Sequence, residues 1–513
     1  MSELTTTPLQ DLIGSAASSN SDVTVVGSLI DGRRVLGDSD PTSRTSPGDA
    51  NVAFLNATLN GSQAQAAIAS VRRGFDSGSW GRSTGRDRSR VLWRAAELAA
   101  AAEDRLVELL MVEAGKPIRE ARGEVASFVN SLEYFAGLAR AVGGRTESGI
   151  DKSLLALTLR EPAGVAGLII PWNFPLGILG QKLPPALAAG NTVVIKPSPL
   201  TPLTALAVAE ILFEAGLPTD ALSIVIGDGD AGAAIVESYD TDVVSFTGST
   251  GVGRIIARSA GVNRLKPVAI EAGGKTPVIV LDSADLDSTV EGLMFSAYFN
   301  QGQVCVAGSR ILVQDGIAAD LTARLTDRVA QIRLGAPRDE STELGPLISA
   351  DHFAQVTRRI RESVEAGAEL LAGGEETLRE DVAGPYLQPT IIRSQDDTNP
   401  AISEEIFGPV TAIQTFASPA EAVARANAQA FGLAASVWGR DTDESLATAS
   451  ALRVGTVWIN GSTDSYPELP LGGRRDSGFS PEFGREGLEF FTALKTVMIR
   501  TGGPAAAWYG AAR

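Results

Sequence analysis

The sequence is poor in the residues that staple or metallate small proteins: its 513 residues include one cysteine, Cys305, and one histidine, His352. A single thiol excludes an intrachain disulfide framework and suits a reducing cytoplasm. One imidazole excludes a histidine-rich metal centre and weakens any Ser-His-Asp reading, so no metal is expected. His352 follows Asp351 in a polar helical stretch and reads as a solvated surface residue. Positive charge is also short, with 44 basic against 61 acidic residues and a net charge of −17. That balance opposes general attraction to nucleic acid or to anionic membrane surfaces. The first twenty residues hold no apolar core segment, so they read as a loose extension, not a secretory signal. The longest uncharged window, 162–181, has the length of a membrane span, but Pro162, Pro171 and Pro175 interrupt it. A buried strand and loop fit it better.

The chain is too long for one core, since single cores stop growing near roughly 250–300 residues. Composition is that of a globular protein, with 44% hydrophobic and 20% charged residues. Residues 62–142 read as helices, including the run from Arg86 to Gly115 that closes before Pro117. Short β-branched runs then alternate with helices: VAGLII (165–170), TVVIK (192–196), SIVIG (223–227), DVVSF (242–246) and PVAIE (267–271). Such alternation predicts an α/β protein with a parallel sheet covered on both faces, the usual setting for dinucleotide binding. A second α/β region is expected over 275–475. The segment 145–160 alternates apolar with polar residues and predicts an antiparallel arm, able to pair with another subunit together with the chain's end.

Three residues have chemistry suited to a carbonyl. A thiol attacking a carbonyl needs a thiolate, a donor for the developing oxyanion and a base that later admits water. Cys305 lies in FNQGQVCVAGS, with small residues nearby but Val304 and Val306 beside it. Taken alone, a lone cysteine is as well explained as a small buried hydrophobe. Glu271 ends the strand-like run PVAIE ahead of Ala272, Gly273 and Gly274, where partial desolvation raises a carboxyl toward the range useful to a base. A salt bridge to Lys275 or a helix cap explains it equally well. Asn173 is clamped between Pro171 and Pro175, as a rigid amide donor or simply a turn former. Further on, GSTGVG (248–253) opens a helix after a strand, where backbone amides can receive a pyrophosphate or merely cap the helix.

The combination is more specific than its parts. PWNFP (171–175), IKPSP (195–199), FTGST (246–250), EAGGK (271–275), GQVC (302–305) and EEIFGPV (404–410) occur in that order. Over roughly residues 25–500 the chain resembles the aldehyde dehydrogenase superfamily. The resemblance implies two parallel-sheet α/β domains plus a small β oligomerisation arm. A dinucleotide-binding domain would comprise 25–143 and 163–274, and a catalytic domain 275–475. The arm and C-terminal segment would be 144–162 and 476–513, after an extension of 1–24.

It also implies oxidation of an aldehyde to a carboxylate with NAD or NADP. Cys305 would form a thiohemiacetal and then a thioester, Asn173 and the Cys305 backbone amide would hold the oxyanion, and Glu271 would activate the hydrolytic water. Lys182 matches a lysine near the active site, with a proton-relay role open to it. Lys196, Ser198, Gly229, Thr247, Gly248, Ser249, Ala272, Glu405, Phe407 and Trp172 match cofactor-side positions. Phe174, Gln181, Phe299, Val304, Thr463 and Ser465 match the substrate pocket. A homodimer or homotetramer acting on a small-molecule aldehyde is implied.

Several residues depart from the family pattern. Pro199 stands where many NAD-preferring relatives carry a glutamate, which makes the NADP phosphate tolerable, with Asp230 opposing if it faces the same pocket. Gln181, Thr463 and Ser465 supply polar groups where some relatives have aromatic ones, so a polar or hydroxylated aldehyde is expected. Pro481 precedes Glu482, the match to a second acidic position, which puts the local helix start and an accessory proton role for Glu482 in question. Arg485 and Glu486 read as surface residues. The rival functions are a coenzyme A-acylating dehydrogenase, disfavoured by Glu271, and a non-catalytic protein on the same scaffold.

Overall fold

A computed structural model describes residues 24–374 and 384–501; the expected extension lies outside them except for Thr24. The central strands form as the β-branched runs predict. Val165–Ile169, Thr192–Lys196, Leu222–Ile224, Val243–Gly248 and Val268–Ala272 are almost wholly buried and pair in parallel. Near-continuous apolar strands are what a sheet covered on both faces requires. Chain order runs outward on one side of Val165–Ile169 through the next two strands, then returns to its other side at Val243–Gly248. The carboxyl ends of these two strands therefore flank a topological switch point, where open α/β sheets bind ligands. PWNFP leaves one strand there and GST the other.

This sheet is larger and less uniform than expected. Among the described residues it has ten strands, extended by Thr24–Ile30, Arg33–Val35, Thr42–Ser46 and Asp49–Ala57, a region with no strand expected from its sequence. Several of these pair antiparallel, as does Gly478–Phe479 at the opposite edge. Polar segments such as TSRTS lie at the margin, where little burial is needed and the apolar signal is correspondingly weak. The helical run after Arg86 is two helices, Gly85–Ala101 and Glu103–Ala114, broken at Ala102. The uncharged window is a strand, a loop and then a helix, Pro175–Ala189, with Pro175 at its first turn. No helix among the described residues is long and apolar enough to cross a membrane.

Among the described residues the second sheet has seven strands, ordered Glu369–Ala372, Thr390–Arg393, Val410–Phe416, Arg310–Gln314, Pro277–Val280, Ala434–Trp438 and Thr456–Ile459. Only the first pair is antiparallel. Arg145–Asp151, Leu154–Pro162 and Thr492–Arg500 form a separate antiparallel three-stranded sheet, so the arm pairs with the chain's own end.

Candidate active site

The nucleophile's loop is built from left-handed backbone. After the helix Leu286–Tyr298, Asn300, Gln301 and Gly302 take φ of 50°, 58° and 66° in succession. For two residues with a Cβ this is strained, by about 1–2 kcal/mol each. Gly302 has no alternative: a Cβ there would lie 2.1 Å from the Gly408 carbonyl oxygen. Amide side chains hold the shape. Asn300 Nδ2 donates to Asn173 O (3.0 Å) and Gln303 O (3.1 Å), and Gln303 Oε1 accepts from Ile348 N at 3.0 Å. Asn173 Nδ2 donates to Gln303 O at 3.0 Å, tying PWNFP to the residue two before Cys305.

Glu271 reaches the same place from the first sheet. Thr247 and Glu271 are register partners on adjacent strands, with Gly248 opposite Ala272. Cys305, Glu271 and Thr247 line one cavity of about 660 Å³. Glu271 is 2% exposed and neither carboxylate oxygen has a hydrogen-bond partner of ordinary geometry. Burial first, then the charge of Glu482, holds this carboxyl well above the usual range, against the opposing pull of Lys182 and the Gly473 amide. The half-buried Cys305 thiol is likewise pushed up, by burial and then by the charges of Glu271 and Glu405. The alternative of a Glu271–Lys275 salt bridge does not form. Lys275 lies buried nearer Arg310 and Glu405, and burial brings it down to about 7.

Lys182 and Glu482 are buried together as an ion pair, three hundred residues apart in sequence. Lys182 Nζ also donates to Ser245 Oγ at 2.8 Å, and Ser245 Oγ donates to Glu482 Oε1 at 3.2 Å. Ser245 was absent from the sequence expectations, although strand periodicity puts it on the same face as Thr247. Glu482 is thus placed against the Lys182 ammonium and the Ser245 hydroxyl. Pro481 and the left-handed Phe483 (φ 58°) delay the helix to Gly484–Phe490, while Arg485 and Glu486 point outward as expected.

A second buried pair, also missed, stiffens PWNFP. Lys116 Nζ lies 2.5 Å from Glu124, donates to Asn173 O at 3.2 Å and sits 4.0 Å over the Phe174 ring. Glu124 Oε1 accepts from Leu176 N and Gly177 N at 2.9 and 3.0 Å, capping the helix that follows. Nothing in the local sequence around 116–124 announces this. All six expected pocket residues line the cavity, but Phe295, Tyr298 and Trp458 make its wall more aromatic than the sequence implied. Thr463 Oγ1 is occupied by Ser462 O at 2.7 Å, whereas the side chains of Gln181 and Ser465 make no hydrogen bond among the described residues.

On the other side of the switch point the groups suit a phosphorylated ribose. Lys196 ends its strand 8% exposed, brought below its ordinary pKa by burial against the opposing charges of Asp228 and Asp230, and its ammonium makes no hydrogen bond among the described residues. Thr247 Oγ1 is buried without a partner. Ser249 caps the helix Thr250–Ser259 by accepting from Val252 N. Gly229 opens the helix Gly229–Glu237 facing open space, and Ser198 Oγ accepts from Leu200 N at 3.2 Å. Asp230 is held by backbone, its carboxylate accepting from Gly61 N and from Ala231 N, both at 2.8 Å, while its charge still reaches Lys196. Glu405 accepts from Gly274 N at 3.0 Å and burial raises its carboxyl to about 7. A free cation, an orphaned hydroxyl and an open helix start fit a dinucleotide.

The expectation for His352 was wrong. Its ring is partly buried, 5.2 Å from Trp172, with Nε2 2.7 Å from Phe407 O. A polar helix surface here faces another element, which local sequence cannot reveal.

Comparison with known proteins decides the family. The aldehyde dehydrogenase family model matches residues 36–497. The chain belongs to the aldehyde dehydrogenase family. It is an enzyme of that family, and its similarity extends to solved structures. It is 39% identical to a betaine aldehyde dehydrogenase of Bacillus subtilis over 86% of this chain and 91% of that one. To the mitochondrial benzaldehyde dehydrogenase of Antirrhinum majus it is 40% identical, over 86% and 82% of the two chains. A Sinorhizobium meliloti NAD-dependent aldehyde dehydrogenase superposes with a TM-score of 0.92 at 39% identity, covering 96% of this chain and 98% of that chain. A Staphylococcus aureus betaine aldehyde dehydrogenase, solved in complex with NAD+, gives 0.93 at 33% identity, covering 98% and 99%. The α/β architecture of this aldehyde dehydrogenase is therefore that of solved family members.

Proposed function

We propose that this aldehyde dehydrogenase oxidises an aldehyde to its carboxylate, with NAD+ or NADP+, through a thiohemiacetal and a thioester on Cys305. The observation that carries the reading is the meeting at one cavity of Glu271 and Thr247, from adjacent strands of the first sheet, with Cys305, from the loop that leads into the strand Arg310–Gln314 of the second. Cys305 Sγ bonds to the aldehyde carbon after losing its proton to Glu271, whose raised affinity matches a thiol that burial holds protonated. A primary amide has two N–H groups. One of those on Asn173 is bound to Gln303 O, leaving the second, with the Cys305 backbone amide, for the new oxyanion.

When bound, the dinucleotide supplies the two-electron acceptor that converts the thiohemiacetal to a thioester. Lys196, Ser198, Gly229, Gly248, Ser249 and Ala272 would hold its adenosine and pyrophosphate side, and Trp172, Thr247, Glu405 and Phe407 its nicotinamide side. Once the thiol proton has passed from Glu271 toward Lys182, Ser245 and Glu482, the Glu271 carboxylate removes a proton from water as that water attacks the thioester, and the Cys305 thiolate leaves from the acid. Lys182, Ser245 and Glu482 form a continuous polar path beside it. The unpartnered Gln181 and Ser465 favour an aldehyde with a polar or hydroxyl substituent, held between the aromatic walls of Phe174 and Phe299. A dimer or tetramer joined through the three-stranded sheet, in a reducing cytoplasm, completes the reading. Leu494 and Met498, 63% and 69% exposed there, support the pairing.

Replacing Cys305 with Ala is expected to abolish NAD(P)H formation across a panel of aldehydes. Glu271→Gln should slow both the first turnover of NAD(P)H and the steady state, because it removes the base for the thiol as well as for the water. Unchanged steady-state rates in Cys305→Ala would refute covalent catalysis. Acyl transfer to added coenzyme A by the wild type would favour the acylating alternative.

A further inference from the structure

The sole imidazole of the chain sits where a surface residue was expected, and its contacts are unusually directed. His352 is in the first turn of the helix Ala350–Glu365, and its backbone N–H is fixed by the capping Ser349 Oγ at 3.2 Å. Its Nε2 lies 2.7 Å from the Phe407 carbonyl oxygen. A carbonyl only accepts, so Nε2 carries the proton and donates. Burial also favours the neutral ring, against the opposing pull of that carbonyl.

Phe407 is the residue that needs holding. Its φ is 60°, in the left-handed region that a side chain with a Cβ rarely adopts. Such a conformation persists only where its surroundings over-determine it. Here the surroundings are His352 and Trp172. The Trp172 ring meets Phe407 edge-on at 5.4 Å and His352 at 5.2 Å, and His352 and Phe407 are 6.2 Å apart. Three rings from three elements thus close on one another. The helix can approach this closely because Gly408 lacks a Cβ, which would lie 2.8 Å from Val356. On its far side the same glycine's carbonyl abuts Gly302 of the nucleophile loop.

The geometry points to His352 as a positioning residue that holds Phe407 and Trp172 in place for the dinucleotide. It touches no reacting atom; it acts through the Phe407 carbonyl and the Trp172 ring. The inference rests on the reading of Trp172 and Phe407 as cofactor-side residues, and it goes beyond that reading by giving the helix Ala350–Glu365 a part in binding. The ring must supply both a donor at the reach of Nε2 and a flat surface against Trp172. Glutamine can replace the donor, leucine only the bulk, and asparagine neither at that distance.

The test is calorimetric titration of NAD+ and of NADP+ into the full-length protein, read on whichever binds more tightly. His352→Leu and His352→Asn are expected to weaken its Kd by about tenfold, the scale of one lost hydrogen bond to a buried carbonyl. His352→Gln should recover most of the affinity. Alkylation of Cys305 by iodoacetamide should stay within about twofold in all three, because the nucleophile loop keeps its own amide network. Thermal melts identify any variant that fails to fold, and the asparagine and glutamine variants remain informative if leucine does. Wild-type affinity in Leu and Asn, or a glutamine variant as weak as leucine, would overturn the inference while leaving the cofactor reading intact. No binding of either dinucleotide by the wild type would overturn that reading and this inference together.

Discussion

Glu482 offers a sharp test of how the buried charges beside the base set its strength. Glu271 has no ordinary hydrogen bond, so its proton affinity is governed by burial and by two neighbours of opposite sign, Glu482 and Lys182. Glu482→Gln keeps the shape and an acceptor oxygen for Lys182 while removing one negative charge. Both consequences act in one direction: the repulsion on Glu271 disappears, and Lys182 is left with less compensation. The Glu271 anion is favoured and its pKa falls. Two unit charges at an effective dielectric near 20 interact by about 4 kcal/mol at roughly 4 Å and by about 2 kcal/mol at twice that separation. At about 1.4 kcal/mol per pKa unit, the shift is on the order of one unit. Thioester hydrolysis needs the basic form, so its rate rises with pH through that pKa. The variant's rising limb should therefore move to lower pH by about one unit. A weaker base should also lower the plateau several-fold. The assay is the decay of the acyl-enzyme against pH by quenched flow, with thermal melts to show that the fold is kept. A limb that stays in place, or moves to higher pH, would refute the electrostatic account.

Other outcomes follow from single residues. Pro199→Glu restores a carboxylate three residues after Lys196, and is expected to raise the KM for NADP+ by at least about tenfold while changing that for NAD+ much less. Steady-state kinetics with both dinucleotides checks it. Glu113 is buried and accepts from Leu203 N, Thr204 N and Thr204 Oγ1, at 2.7, 3.2 and 2.5 Å, capping the helix Leu203–Glu214 from another element. Glu113→Ala strands those donors, and should cost about 2–4 kcal/mol in urea unfolding with little change in the KM for aldehyde.

The chain alone announced its central strands, because buried parallel strands demand uninterrupted β-branched runs and those are visible locally. TVVIK and PVAIE fell where they were expected for that reason. The marginal strands of 24–57 were missed because an edge needs little apolar surface. Cys305, Glu271 and Asn173 were legible as candidates only through the order of their motifs, since each by itself had a plain structural explanation. What the sequence determined was therefore the family, the architecture and the residues with suitable chemistry. Tertiary structure decided their environment. It set Glu482 against Lys182 and Ser245, braced PWNFP with Lys116 and Glu124, turned Asp230 to Gly61 and His352 to Phe407. Burial and charge are properties of what surrounds a residue in space, and those neighbours are up to three hundred residues away along the chain.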